Sequence, residues 1–208
     1  MLYSGVIFKT AADMIRREVN IALPISDDMV CTHINTLEQF LYTDFVKEQK
    51  LAEIPTGGQQ IINLGLIVPA IDERAPVYED IMKVYGHALG SRVEYTKGSM
   101  TAGRLFSKPL YWKDGVNLAF NTMLNTAPET VEIIYYARPK LKTPANMTTL
   151  EIMIPVEFMP MVYAYLRCEM YKLAVNVTSS GQWADEYNAW LGTFTQWIVN
   201  RNKYFGEG

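Results

Sequence analysis

The sequence predicts an α+β fold in which N- and C-terminal segments form a discontinuous helical bundle and an antiparallel β-domain is inserted between them. Three observations predict it. Apolar residues recur at helical spacing near both ends of the chain, short β-favouring runs fill the middle, and between Val131 and Ala174 a strand-like ending gives way to a proline-started amphipathic helix. The helical domain is expected over 1–58 and 150–208, and the β-domain over 59–149.

A short helix is expected from Ala11 to Asn20, interrupted by Pro24. Ser26 then supplies an N-cap, with Asp27 and Asp28 placing carboxylates at the positive helix end. Val30, Ile34, Leu37, Leu41 and Phe45 follow on a single stripe. His33, Gln39, Lys47 and Glu48 fall between them, and this helix is expected to fade near Gln49 or Lys50, ahead of Pro55 and Gly57-Gly58.

From Ile61 the texture changes to IINLGLIV, YEDIMKVYG, SRVEYT, PLYW, VNLAF and VEIIYYA, separated by Pro, Gly, Asn and Asp. Asp114-Gly115 suits the positive φ angles of a tight turn, which predicts a hairpin in which Leu110 and Trp112, then Val116, Leu118 and Phe120, alternate. In VEIIYYA both alternating sets are apolar or aromatic, so this strand is expected to be covered on both faces.

Ile154-Pro155 opens the next predicted helix, with Met159, Val162, Leu166, Met170 and Leu173 as its apolar stripe, and Asn176 to Gly181 reads as a turn. The last helix begins near Ser180 and carries Trp183, Tyr187, Trp190, Phe194 and Trp197 on one face. A helix of this kind is not stable alone, so it is expected to pack on the helices at 26–49 and 155–175.

A net charge of -3 leaves no global positive field of the kind phosphate binding needs, which disfavours a general DNA-binding role. Cys31 and Cys168 each sit in a helix-like apolar stretch and read as small hydrophobes. No long apolar run suggests a membrane span, and no secretory start is present, so a cytoplasmically made protein is expected.

No catalytic kit emerges. His33 and His87 lack a Cys, Asp or Glu at metal-ligand spacing on their own elements, and Cys31 and His33 lie about 200° apart around a helix. Gly57-Gly58 and Gly98 to Gly103 lack the remainder of a phosphate loop, and no Gly-x-Ser-x-Gly elbow occurs. The expectation is a non-enzyme with no catalytic residues, cofactor or metal. Lys97, Arg104 and Lys108 surround the small residues of GSMTAGRLFS, either as a solvated hairpin tip or as a tip touching passing nucleic acid or an acidic neighbour. Trp112 is a further candidate contact. Four Trp, thirteen Tyr and eleven Met supply many residues favoured at interfaces.

The order of SDDMVCTHINTLEQFLYTDF, a β middle ending in EIIYYARPKLKT, then IPVEFMPMVYAYLRCEMYKLA and a closing aromatic helix resembles head-to-tail adaptor (connector, or neck) proteins of tailed bacteriophages. The resemblance spans roughly residues 25 to 200 and rests on pattern, chiefly Tyr136 with Arg138-Pro139 and Ile154-Pro155-Val156 leading into the Tyr-rich helix. It implies a structural virion protein forming a ring homo-oligomer of about twelve copies, a dodecamer, between portal and tail and around the genome passage. It further implies that the helical part packs side by side in the ring, that the β part projects toward the tail or nozzle protein, and that Arg201 to Gly208, with Arg201, Tyr204 and Phe205, extends to the portal. Other readings are a different tail-completion or baseplate protein, and a small hydrolase or carbohydrate-binding module using Trp112.

Overall fold

The computed structural model describes residues 6–19, 24–88, 90–99, 108–121 and 128–205. The fold is α+β, and the chain divides into two compact units, Met1–Val46 with Pro139–Gly208, and Lys47–Arg138. The divisions therefore fall at 46/47 and 138/139 rather than at 58/59 and 149/150, and at the first of them Gln49–Pro55, expected as a helix end and the stretch after it, forms the first strand instead.

The helical unit contains α1 (Phe8–Glu18), α2 (Asp27–Leu41), α3 (Met159–Leu173) and α4 (Val177–Phe205). Ser26 caps α2 by accepting from the Met29 N–H at 3.2 Å. The α2 stripe of Val30, Ile34, Leu37 and Leu41 is buried, and the helix passes into a π-helical turn at Tyr42–Val46 rather than continuing to Gln49. Helix α3 starts at Met159, after a 3-10 turn at Val156–Phe158, so Pro160 and not Pro155 is the first-turn proline. It is buried on more than one side, because Met161, Ala164 and Cys168 are covered as well as Met159, Val162, Leu166 and Met170, while Leu173 is exposed.

One polar row of α2 fastens the segment that follows the β unit. Asn35 donates to the Lys142 carbonyl at 2.9 Å and accepts from the Lys142 N–H at 2.8 Å, and Gln39 donates to the Pro139 carbonyl at 3.2 Å. Glu38 is fully buried, bonded to the buried Lys142 ammonium and accepting from the Met153 N–H at 2.7 Å, and the Tyr42 hydroxyl donates to the Met153 carbonyl at 3.1 Å. Asn35, Glu38, Gln39 and Tyr42 are spaced three, one and three apart, which puts them on one helical face.

Helices α3 and α4 meet in a Schellman corner. The Asn176 N–H donates to the Tyr171 carbonyl and the Val175 N–H to the Lys172 carbonyl, both at 3.0 Å. This places Val175 in the left-handed region at φ 56°, where glycine is usual and a β-branched residue is strained. Helix α4 then starts at Val177, with the Asn176 side chain accepting from the Ser179 N–H at 3.0 Å, so the expected turn up to Gly181 is already helical.

The β unit is a seven-stranded sheet in the order β1-β7-β3-β4-β5-β6-β2. The strands are β1 (Gln49–Pro55), β2 (Ile61–Asn63), β3 (Ile81–Ala88), β4 (Ser91–Lys97), β5 (Leu110–Asp114), β6 (Asn117–Phe120) and β7 (Thr130–Tyr136). Pairing is antiparallel except between β4 and β5, where Thr96 meets Leu110 and Lys97 meets Tyr111 in parallel. The Asp114-Gly115 hairpin is present, with Gly115 at φ 61°. Its register sets Tyr111 opposite Phe120 and Trp112 opposite Ala119, so Tyr111 rather than Trp112 joins Leu118 and Phe120 in the core, and Val116 is exposed at the turn. In β7, Val131, Ile133 and Tyr135 are buried, while Glu132, Ile134 and Tyr136 on the other face are half-buried. The Tyr95 ring lies against Gly86, where a Cβ would come within 2.6 Å of it.

Candidate functional site

Two surfaces stand out, one on each unit. On the helical unit, α4 runs 29 residues, about 43 Å, against α3 and the Tyr42–Val46 turn. Phe194 is fully buried, with its ring 5.1 Å from that of Phe158, and Trp197 joins them. Trp183, Tyr187, Trp190 and Trp197 are only half-buried, the last three of them packed against the helical core. The row lies on one helix face as predicted, and its Trp183 end stands outside the helical core cluster. Arg167 stands over Trp183 at 4.4 Å while pairing with Glu18, and Leu173, Val175, Val177 and Val199 are exposed nearby in sequence.

On the β unit, a cleft of about 370 Å³ is lined by Leu64, Gly65, Pro76, Val77, Tyr78 and Val116, with Asn63, Ala75, Glu79, Lys113 and Gly115 completing its wall. A 3-10 turn at Leu64–Leu66, a second at Tyr78–Asp80 and the β5–β6 turn bring these residues together. The second turn is fixed from beneath by Asp80, which accepts from the Val77 N–H at 3.1 Å and pairs with Arg74 at 3.0 Å and Arg138 at 3.2 Å. Tyr78 packs edge-on against Tyr111, with centroids 6.0 Å apart. Across the rim, Lys113 donates to Glu79 at 2.6 Å, and this bond holds the Glu79 carboxyl below its usual range. Lys97 stands over the Tyr78 ring at 4.4 Å. Burial raises the Tyr78 phenol.

The residues expected to make contacts are thus dispersed. Lys97 reaches the cleft. Lys108 is exposed, with its carbonyl accepting from Asn121 at 2.8 Å. Arg104 lies outside the described residues, as do the side chains of Tyr204 and Phe205, whose backbones end α4. Trp112 is half-buried on the sheet face opposite Tyr111, and Arg201 lies 5.8 Å from the Trp197 ring. Tyr78 and Lys113 were not singled out in the sequence, and Val116 entered only as a strand residue of the expected hairpin. Only the hairpin register could have brought Lys113 and Val116 to attention, and nothing local marked Tyr78.

The histidines have carboxylate neighbours from other elements. His33 lies 3.8 Å from Glu169, and burial lowers its pKa from the usual value. His87 on β3 meets Glu132 on β7, which also accepts from Arg92 at 2.7 Å. Cys31 and Cys168 are free and buried, and burial, reinforced by Asp27 and Asp28, pushes the Cys31 thiol up to about 11. Among the described residues no group of three or more His, Cys, Asp or Glu could hold a metal ion, and no helix is long and apolar enough to cross a membrane.

No protein-family model matches this sequence, and no curated protein matches it at a significant level. Its chemistry therefore has to be read from these surfaces.

Proposed function

We propose that this chain is a structural virion protein of a tailed bacteriophage, a head-to-tail adaptor that forms a ring between portal and tail. The observation that carries the reading is the aromatic row of α4, whose Trp183, Tyr187, Trp190 and Trp197 are only half-buried and keep some ring surface open on a long helix. Aromatic residues are enriched where subunits meet, and a row on one rigid helix offers each copy the same strip to its neighbour. The pattern resemblance to phage adaptors supplies the class, and an independently cored β unit suits a protrusion toward the tail. In this reading the virion neck is its place, the portal and a tail protein are its partners, and passing DNA meets only backbone-directed, non-specific contacts.

Mass measurement of the purified 23.7 kDa chain, alone and with the portal of its own virus, tests this. About twelve copies give a particle of roughly 280 kDa, with rings visible by electron microscopy. Trp183→Ala, on the row itself and outside the helical core cluster, is expected to keep the chain folded and abolish the ring. A chain that stays monomeric with the portal present overturns the proposal.

A further inference from the structure

We propose that the cleft beside Tyr78 is a docking site for a protein segment that presents a bulky apolar side chain next to a carboxylate. The proposal rests on the adaptor reading only for the biological source of that segment, a tail-side partner; the binding chemistry stands on the cleft itself.

The apolar half follows from the walls. Leu64 and Pro76 are buried at the base, the Tyr78 ring forms one side, and Val77 and Val116 stand 41% and 76% exposed at the mouth. A volume of about 370 Å³ accommodates one large side chain with some of its backbone. Gly65 and Gly115 add no side chain to the walls, and Gly115 would be strained by one at φ 61°.

The acidic half follows from charge. The cleft wall itself carries Glu79 and Lys113, and Lys97 stands beside it over the Tyr78 ring, so two ammonium groups and one carboxylate gather here. Glu79 is bonded to Lys113 at 2.6 Å and feels Lys97 only at longer range, beyond ion-pair distance, so the two lysines share one carboxylate. One positive charge is left over at the edge of an apolar slot. A carboxylate on the incoming segment meets Lys97 without displacing the Lys113–Glu79 pair, while a basic segment would face a net positive edge.

The occupant is a chain segment rather than a free small molecule because the mouth is open. Small-molecule sites enclose about 70–90% of their ligand, and a slot with two exposed valines at its lip does not. A side chain tethered to a folded partner needs only partial enclosure, since its orientation is set elsewhere.

The full chain is titrated with N-acetyl-Phe-Asp-amide, N-acetyl-Phe-Asn-amide, N-acetyl-Ala-Asp-amide and hexanoate, following the methyl NMR signals of Leu64, Val77 and Val116. The expected result is that the Phe-Asp compound shifts these methyls saturably, roughly two- to fivefold more tightly than Phe-Asn, the increment an exposed ion pair supplies. The preference disappears in Lys97→Met and in 1 M salt. Val116→Asp, at an exposed turn position, weakens Phe-Asp more than Phe-Asn and guards against a folding artefact in the lysine variant. Equal binding of Phe-Asp and Phe-Asn, binding of Ala-Asp as tight as Phe-Asp, hexanoate binding as tight as Phe-Asp, or no shift at these methyls overturns the proposal. Ring mass, measured on the same variants, reads the adaptor assignment separately: Lys97→Met leaves it unchanged, so loss of the ring and loss of peptide preference are distinct failures.

Discussion

Val175→Gly is expected to stabilise the helical unit. At φ 56° the valine side chain crowds the backbone, a strain of about 1–2 kcal/mol for a residue with a Cβ in left-handed geometry. Removing the side chain forfeits little packing, because Val175 is 82% exposed; about a fifth of a buried valine's transfer energy is some 0.3 kcal/mol. Glycine also has more freedom to lose on folding, about 0.5–1 kcal/mol. The difference leaves a net gain of roughly 0.5 kcal/mol, reaching about 1 kcal/mol at the upper end of the strain. For a chain of this size that raises the melting temperature by roughly 1–4 °C, followed by far-ultraviolet circular dichroism, where the helices dominate. Val175→Ala serves as the control, since it keeps a Cβ in the strained conformation and should gain much less. If the glycine variant melts at or below the parent, or if alanine does as well as glycine, the Schellman geometry with a strained valine is wrong.

Two further outcomes follow from the helical unit. Lys142→Ala should destabilise by about 3–5 kcal/mol in urea unfolding, because it strands the buried Glu38 carboxylate; Glu38→Gln with Lys142→Met should recover at least half of that, since glutamine still accepts from the Met153 N–H. His33 titrates lower in the folded chain than its usual value because of burial, so the unfolded chain binds the proton more readily. Its contribution is present above the unfolded pKa of about 6.5 and is lost as pH falls below it, so His33→Gln should flatten the decline of the urea midpoint between pH 7 and 5, and an unchanged slope would refute the assignment.

The elements legible in the sequence are those whose signals are local. Ser26 with its following acids announced α2, and Asp114-Gly115 announced the β5–β6 turn, since cap and turn geometry involve residues only a few positions apart. Strand β1 was missed because Gln49–Pro55 is an edge strand whose alternation is blunted by Lys50 and Glu53, and its partner among the described residues, β7, arrives about eighty residues later. Asn35, Glu38 and Gln39 look like the wet side of a helix, yet their partners lie 100 to 115 residues away. Spacing placed the α4 aromatics on one face correctly, but how much of that face is covered depends on neighbouring helices that no periodicity counts. The cleft was invisible for the same reason: its walls come from three separate turns.

Gln49 pairs with Tyr136, so the β unit begins and ends on neighbouring strands at the same end of their ladder. A genetic exchange at codons near 46/47 and 138/139 could therefore lift out the whole sheet and set in another whose first and last strands are likewise adjacent. The gap left by a clean excision would need only a few residues to close. Relatives assembled in this way would share the helical frame while carrying unrelated cassettes, each with its own partner.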